Sequence, residues 1–237
     1  MASRTEAART IDEHRVLVNG AIAEKPSRMV DPADAVVVVG PPPRFVSRGG
    51  EKLDAALDAF GIDVAGRDAL DAGASTGGFT DCLLQRGVGH VVAVDVGHGQ
   101  LHPKIRGDER VTVIERCNVK DLGPGRFDPP PDLVVADLSF ISLTRVIGAL
   151  VAVASPSADL VLLVKPQFEA GRQEVSRGRG VISDPAVHDR VRAEVAEALE
   201  LAECSVRAWT DSPITGADGN REFLVHAVTP ARTGPRP

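Results

Sequence analysis

Two charged residues stand where catalytic groups gather in α/β proteins, directly after buried strands. Asp137 follows the apolar stretch 133–136 of the predicted strand 132–137, and Lys165 follows the apolar stretch 160–164. Short apolar runs of this kind indicate strands that are covered on both faces. The carboxyl ends of parallel strands share one rim of the sheet, and ligands bind there. We therefore expect Asp137 and Lys165 to face the same ligand site.

Two further charges can reach this rim from other elements. Lys52 opens a predicted helix that runs to Phe60, and Glu222 stands at the start of the last predicted strand, 221–228. If that strand runs antiparallel, its start lies on the same rim, so we expect Lys52 and Glu222 to join the other two. Taken singly, each is explained equally well as a surface charge or an ion-pair member. Two lysines and two acids at one rim favour an active site, although networks of structural ion pairs show the same pattern.

A glycine-rich stretch, Asp71 to Thr80, separates a predicted strand from a predicted helix. The apolar spacing of Phe79, Cys82 and Leu83 indicates the helix face. A strand, a glycine turn and a helix form the opening unit of nucleotide-binding sheets, with the ligand at the helix N-terminus. An empty strand-to-helix turn is the alternative. The candidate ligand-binding residues are Asp71, Gly73, Ser75, Thr76, Gly77 and Gly78.

The spacing of this stretch excludes the dinucleotide fingerprint G-x-G-x-x-G, because Ser75 stands where its second glycine belongs. A carboxylate at Asp71 would repel a pyrophosphate but suits a cationic ligand. The pattern resembles the first motif of S-adenosylmethionine-dependent methyltransferases, whose cofactor carries an ammonium and a sulfonium. Asp95 ends the next strand about 20 residues after Gly73, as expected for an acid that holds ribose hydroxyls. Asn118 ends the third predicted strand, 111–118, where its amide either reads an adenine edge or serves a turn.

Composition limits the protein class. The chain has 237 residues, of which 43% are hydrophobic, and a net charge of −6. These values predict one large domain plus a small one, and they confine any nucleic-acid contact to a local patch. The chain has no signal peptide or membrane span, and no metal ligand set is predicted. Its three scattered cysteines, Cys82, Cys117 and Cys204, suggest reduced thiols and a cytoplasmic protein.

The first 40 residues read as a separate small α/β unit. A helix near the start, the hairpin pattern Val16 to Gly20 and the step Lys25-Pro26-Ser27 resemble the S-four-type RNA-binding domain. That domain normally begins with one more helix, so we expect a partial domain over 1–40 whose first helix is missing. A small cap without RNA contact is the alternative. The prolines 41–43 begin a predicted linker, 41–47, and residues 231–237 are a predicted flexible tail.

Longer sequence motifs identify the chain as similar to the hemolysin A/TlyA family of ribosomal RNA methyltransferases and to FtsJ-type ribose 2′-O-methyltransferases. The resemblance implies a Rossmann-like methyltransferase domain over 48–230, mostly parallel with an antiparallel last strand. It also implies the catalytic tetrad Lys52, Asp137, Lys165 and Glu222, with Asp137 at the cofactor as well. The matching stretches are 47–52, 71–79, 93–101, 135–142, 164–169 and 219–222.

The resemblance implies transfer of a methyl group from S-adenosylmethionine to a ribose 2′-hydroxyl, with a cytidine as the target. Lys165 is then the base, or the cation that lowers the proton affinity of the hydroxyl. The expected partners are ribosomal RNA or ribosomal subunits, without a membrane, and the expected state is a monomer or weak dimer. The sequence after Asp137 does not match base amino-group methyltransferases, and no cysteine stands where cytosine carbon-5 enzymes need one. An idle RNA-binding module and a membrane-active cytolysin are the non-enzyme alternatives.

Overall fold

The computed structural model describes residues 4–12, 14–178, 180–216 and 218–231. The chain divides into two compact units, residues 1–44 and 45–237. Apart from Ala231, the predicted tail 231–237 lies outside the described residues, as do the first three residues.

The first unit is a helix followed by a small antiparallel sheet, as predicted. Helix α1 spans Arg4–Asp12, and the strands are β1 (Val16–Val18), β2 (Ala21–Ile22) and β3 (Val36–Val38). Strand β1 lies between β2 and β3. Val16 and Val18 are buried with Ala23 in a small separate core.

The second unit is built on a seven-stranded sheet. Its strands, in chain order, are β4 (Asp68–Ala72), β5 (His90–Val94), β6 (Val111–Ile114), β7 (Leu133–Ala136), β8 (Asp159–Val164), β9 (Ser205–Asp211) and β10 (Phe223–Val228). They lie side by side in the order β6-β5-β4-β7-β8-β10-β9. The pairs from β6 to β8 are parallel, and β10 is antiparallel to both of its neighbours. The predicted mostly parallel sheet with an antiparallel last strand is confirmed.

Helices and short turns connect these strands. The helices are α2 (Gly49–Phe60), α3 (Gly78–Gln85), α4 (Pro103–Arg106), α5 (Ile147–Val153), α6 (Pro166–Glu169), α7 (Arg172–Arg177) and α8 (Pro185–Leu201), with 3₁₀ turns at Val119–Asp121 and Leu143–Arg145. The ends of the longer helices follow capping chemistry. Gly61 adopts the left-handed conformation after α2, and Asp184 accepts a hydrogen bond from the Ala186 amide at the start of α8. Among the described residues, no helix combines the length and apolar character needed to cross a membrane.

Both faces of the sheet are buried, because successive strand residues point to opposite sides. In β7, Leu133 and Val135 pack with the helices α2 and α3, whereas Val134 and Ala136 pack with α5 and α8. This double cover explains why the central strands read as continuous apolar runs. It also leaves the carboxyl ends of β4, β5, β7 and β8 at one rim.

Several element ends differ from the sequence prediction. Strand β4 continues to Ala72, so Asp71 lies inside the strand and not in the turn. Helix α2 begins at Gly49, which places Lys52 one turn inside it. Strand β6 ends at Ile114, four residues before Asn118, so the predicted position of Asn118 at a strand end is wrong. Strand β10 begins one residue after Glu222.

Candidate active site

The glycine turn after β4 contains positive φ angles, which glycine adopts more easily than other residues. Gly73 has φ of 86°, and a Cβ there would lie 2.6 Å from the carbonyl oxygen of Asp137. Gly77 has φ of 94° and precedes the first residue of α3. Ser75 also takes a positive φ, 48°. The turn therefore lies directly against the end of β7, and a side chain at position 73 would separate them.

The start of helix α3 is equally crowded on its other side. A Cβ at Gly78 would overlap the Ser47 hydroxyl, so Gly78 lets the start of α2 approach. The carbonyl oxygen of Thr76 accepts a hydrogen bond from the His102 amide at 3.1 Å. The predicted residues Thr76, Gly77 and Gly78 thus shape the turn through their backbones.

Asp71 is a fully buried carboxyl group beneath the turn. Its Oδ2 accepts a hydrogen bond from the Thr80 hydroxyl at 2.6 Å. Its Oδ1 has no hydrogen-bond partner among the described residues. Burial raises the pKa of Asp71 to about 7, with smaller increases from Asp137 and Asp95, while the Thr80 bonds oppose the rise. A buried carboxyl with a free oxygen gains from a cation placed nearby.

Asp95, directly after β5, organises the backbone around the turn. Its Oδ2 accepts from the Ser75 amide at 2.8 Å, and its Oδ1 accepts from the Gly97 amide at 2.6 Å. Each carboxylate oxygen can accept more than one hydrogen bond. Asp95 therefore fixes the loops on both sides and still has lone pairs for a ligand hydroxyl.

Asn118 is a local cap in the structure. Its Oδ1 accepts from the Lys120 amide at 3.1 Å and begins the 3₁₀ turn Val119–Asp121. The residue is exposed and lies on the wall of the cleft described below. Because Oδ1 is used in this bond, a base-reading role would depend on the amide nitrogen of Asn118.

The predicted catalytic residues form two ion pairs. The Lys52 Nζ lies 2.5 Å from Oε2 of Glu222, and both side chains are buried, with exposed fractions of 10% and 2%. The Lys165 Nζ lies 2.5 Å from Oδ1 of Asp137 and donates to the Ser139 hydroxyl at 3.1 Å. Each pair joins a lysine to an acid from a different element. Burial of this degree is unusual for a merely solvated ion pair.

The sheet register and the start of α2 bring the two pairs to the same rim. Phe223 is opposite Val164 in the β8–β10 pair, so Glu222 and Lys165 both lie just beyond this rung. On the other side, a Cβ at Gly49 would lie 3.6 Å from Oδ2 of Asp137, one helical turn before Lys52. The structure therefore supports the convergence expected from the sequence.

A wide cleft opens at this rim, with a volume of about 1260 Å³. Gly73, Asp95 and Asp137 line it near the glycine turn, and the residues 138–142, 144–145, 167–171 and 175–176 form its other walls. Phe140, which is 93% exposed and has φ of 66°, stacks at a tilt on Phe168 with ring centroids 5.3 Å apart. Sequence reasoning missed this aromatic pair, since a phenylalanine in an apolar stretch normally signals core.

The inner end of the cleft suits a positively charged ligand. Asp71 lies on β4, Asp95 directly after β5 and Asp137 directly after β7, and among the described ion pairs of these three acids only that of Asp137 is with a lysine. Three carboxylates at a glycine turn would repel a pyrophosphate and attract an ammonium or sulfonium group. The residues present therefore fit S-adenosylmethionine better than a dinucleotide.

Comparison with known proteins agrees with this chemistry. The model of the FtsJ-like methyltransferase family matches residues 45–229, and that of the S4 domain matches residues 1–36. The 16S/23S rRNA (cytidine-2′-O)-methyltransferase TlyA of Mycobacterium tuberculosis is 51% identical over 225 residues, covering 94% of this chain and 83% of the relative. Hemolysin A of Brachyspira hyodysenteriae is 41% identical over 229 residues, covering 95% and 94%. A solved chain from Streptococcus thermophilus, described as a hemolysin, is 38% identical with a TM-score of 0.80, covering 97% and 84%.

Proposed function

Because the chain belongs to the FtsJ-like methyltransferase family, within its TlyA and hemolysin A group, we propose that it methylates the ribose 2′-hydroxyl of a cytidine in ribosomal RNA. The observation that carries the proposal is the pair of buried ion pairs, Lys52–Glu222 and Asp137–Lys165, at the rim of the glycine-turn cleft. Two lysines held by acids suit a reaction in which a weakly acidic hydroxyl must lose its proton.

S-adenosylmethionine supplies an electrophilic methyl group when it is bound. In this proposal the glycine turn, with Ser75 and Thr76, contacts the cofactor. Asp95 accepts from its ribose hydroxyls, and Asp71 stabilises its positive charge. The exposed amide of Asn118 is available to an adenine edge. These roles agree with the burial of Asp71 and with the spare lone pairs of Asp95.

The chain's own residues prepare the nucleophile. The Lys165 ammonium lies 2.5 Å from Asp137 and donates one hydrogen bond to the Ser139 hydroxyl, so it has N–H groups left for the 2′-oxygen. A cation at that oxygen stabilises the negative charge that develops as the proton leaves, and the Asp137 carboxylate beside the ammonium takes up the proton. Lys52 and Glu222 form the ion pair on the other side of the site. Most of the acceleration then comes from alignment of the reacting atoms.

The outer cleft supports an RNA substrate. An aromatic ring that is almost fully exposed, such as Phe140, offers a stacking surface, and every nucleobase has a face to stack on it. The S4 domain match over residues 1–36 adds a second RNA-contact candidate in the other unit. A chain with net charge −6 needs such local contacts, because it has no bulk positive charge.

The test is to incubate the purified chain with ribosomal subunits from cells that lack this activity, using cofactor with a labelled methyl group. Nucleoside analysis of the digested RNA identifies the methylated atom. We expect 2′-O-methylcytidine at a small number of sites and none with Lys165→Ala. Methyl groups on a base would refute the ribose assignment. Tight binding to subunits without methyl transfer would favour the idle RNA-binding module.

A further inference from the structure

Two segments at the cleft mouth, one following β7 and the other following β8 and including helix α6, contact each other along their length. We name them the β7 lip, residues 137–143, and the β8 lip, residues 165–169. At the inner end, Lys165 contacts both Asp137 and Ser139. In the middle, the rings of Phe140 and Phe168 stack 5.3 Å apart. These contacts place the reacting lysine and the exposed aromatic ring on one joined structure.

Glu169 closes the outer end of this structure. Its Oε2 accepts from the Ser142 hydroxyl at 2.5 Å, and its Oε1 accepts from the Leu143 amide at 2.8 Å. Leu143 is 2% exposed and belongs to the core, so this end of the β7 lip is anchored to the body of the sheet. Both carboxylate oxygens of Glu169 are thus used to hold the neighbouring lip.

The surroundings of Glu169 disfavour its charged form. Burial raises the pKa of Glu169, and Glu194 adds to the rise, while the bonds from Ser142 and Leu143 oppose it. A carboxylate kept in a desolvated place contributes only if its hydrogen bonds fix something. What they fix is the segment that carries Phe140, whose backbone has φ of 66°.

We propose that Glu169 is a positioning residue, which locks the β7 lip to the β8 lip and so fixes Phe140 relative to the Lys165 amine. The inference rests on the proposed function, because it assigns Glu169 to the RNA side of that reaction. Without Glu169, the β7 lip keeps its contacts with Lys165 and the buried Leu143 side chain, but it loses the two hydrogen bonds that tie its outer end to the β8 lip. The target ribose is then held less accurately, and a displacement of about 1 Å costs about 100-fold in rate.

The experiment compares Glu169→Ala with the conservative Glu169→Gln, and with Ser142→Ala as an independent route to the same loss. Glu200→Ala, on the exposed face of α8, is the matched control. The readouts are kcat, KM for ribosomal subunits, cofactor affinity by calorimetry and hydrogen exchange at the Leu143 amide. The exchange measurement does not depend on activity, and it reports directly on the hydrogen bond that Glu169 accepts.

We expect Glu169→Ala to speed Leu143 exchange at least about tenfold and to lower kcat by about 100-fold, with cofactor affinity unchanged. Ser142→Ala should fall between this variant and the parent. Glu169→Gln keeps an oxygen for the Leu143 amide, so it should recover most of kcat, and Glu200→Ala should match the parent.

Three results would overturn the proposal. Unchanged Leu143 exchange in Glu169→Ala would show that no anchor was lost. Faster exchange with unchanged kcat would show that the anchor does not reach the chemistry. A loss confined to cofactor affinity would move Glu169 to the cofactor side. If the parent itself fails to methylate RNA, the proposed function fails, while the exchange data still decide whether Glu169 anchors the lip.

Discussion

Replacing Asp71 by asparagine should change how the stability of the folded protein depends on pH. Asp71 is fully buried, its Oδ2 accepts from the Thr80 hydroxyl, and its Oδ1 has no hydrogen-bond partner among the described residues. Burial is the main reason that its pKa rises from 3.8 to about 7. The folded state therefore holds a proton on this carboxyl more tightly than the unfolded state does.

The sign and size of this pH effect follow from the linkage between proton binding and folding. Between about pH 4 and pH 7 the folded protein binds more protons at Asp71 than the unfolded chain, so this group makes stability fall as pH rises. A rise from 3.8 to about 7 corresponds to a loss of about 4 kcal/mol across that window, as an upper limit. Asparagine does not ionise, and its carbonyl oxygen can still accept from Thr80. Asp71→Asn should thus be the more stable protein at pH 8, and lose most of this advantage at pH 4.

The assay is urea unfolding of parent and Asp71→Asn at pH 5, 6, 7 and 8, with Asp68→Asn as a control at the opposite end of the same strand. The difference between parent and Asp71→Asn should grow as pH rises, and it should exceed any difference that the control Asp68→Asn shows. Saturating S-adenosylmethionine should reduce the difference, because its positive charge offsets the buried carboxylate. Parallel curves for Asp71→Asn and parent would refute the reasoning.

Four other changes test the site and the sheet. Lys165→Ala should lower kcat by at least about 100-fold with cofactor affinity unchanged, because its role is confined to the transition state, and single-turnover kinetics with calorimetry check this. Asp95→Ala should weaken cofactor binding by about 1.5–3 kcal/mol, the value of a charged hydrogen bond, and calorimetry that shows equal affinity would contradict the assignment. Phe140→Ala should raise KM for ribosomal RNA by about 5- to 100-fold if one base stacks on the ring, and an unchanged KM would exclude stacking. At the other end of the sheet, His226 first, and then Arg67, lower the pKa of Asp159 below its usual 3.8. That stabilisation is present above pH 4 and is lost as pH falls through the lower pKa of the folded state. Asp159→Asn should therefore cost about 1 kcal/mol at pH 7 and nothing near pH 2, as acid titration of unfolding would show.

The strand ends could be predicted from sequence because the chemistry and the hydrophobic pattern coincide there. Asp137 and Lys165 each follow a run of buried residues, and parallel strands bring such ends together whatever the loops do. The partners within the tetrad could not be predicted. Lys52 and Glu222 are 170 residues apart, and their pairing depends on the tilt of α2 and on the β8–β10 register. Neither leaves a local signal in the sequence.

Two other positions show where local patterns mislead. Asn118 stands four residues beyond β6, because the strand ends at Ile114 and the chain then turns. There, its side chain begins a 3₁₀ turn, which was one of the two roles that the sequence left open. Phe140 follows an apolar stretch and yet is 93% exposed. Hydrophobicity alone does not distinguish a core ring from a ring presented to a ligand. In the structure, the exposure of the Phe140 ring and its backbone φ of 66° make that distinction.

Asp137 connects the glycine turn directly to Lys165, the lysine of the proposed nucleophile site. Its backbone amide donates to the Ala72 carbonyl at 3.1 Å, and its own carbonyl lies where a Cβ at position 73 would clash. Its side chain, by contrast, holds Lys165. One residue therefore joins the glycine turn to the reacting lysine without a flexible segment between them. In the proposed reaction, where alignment supplies most of the rate, we therefore expect the sheet to set the distance between methyl donor and hydroxyl and the lips to position the ribose.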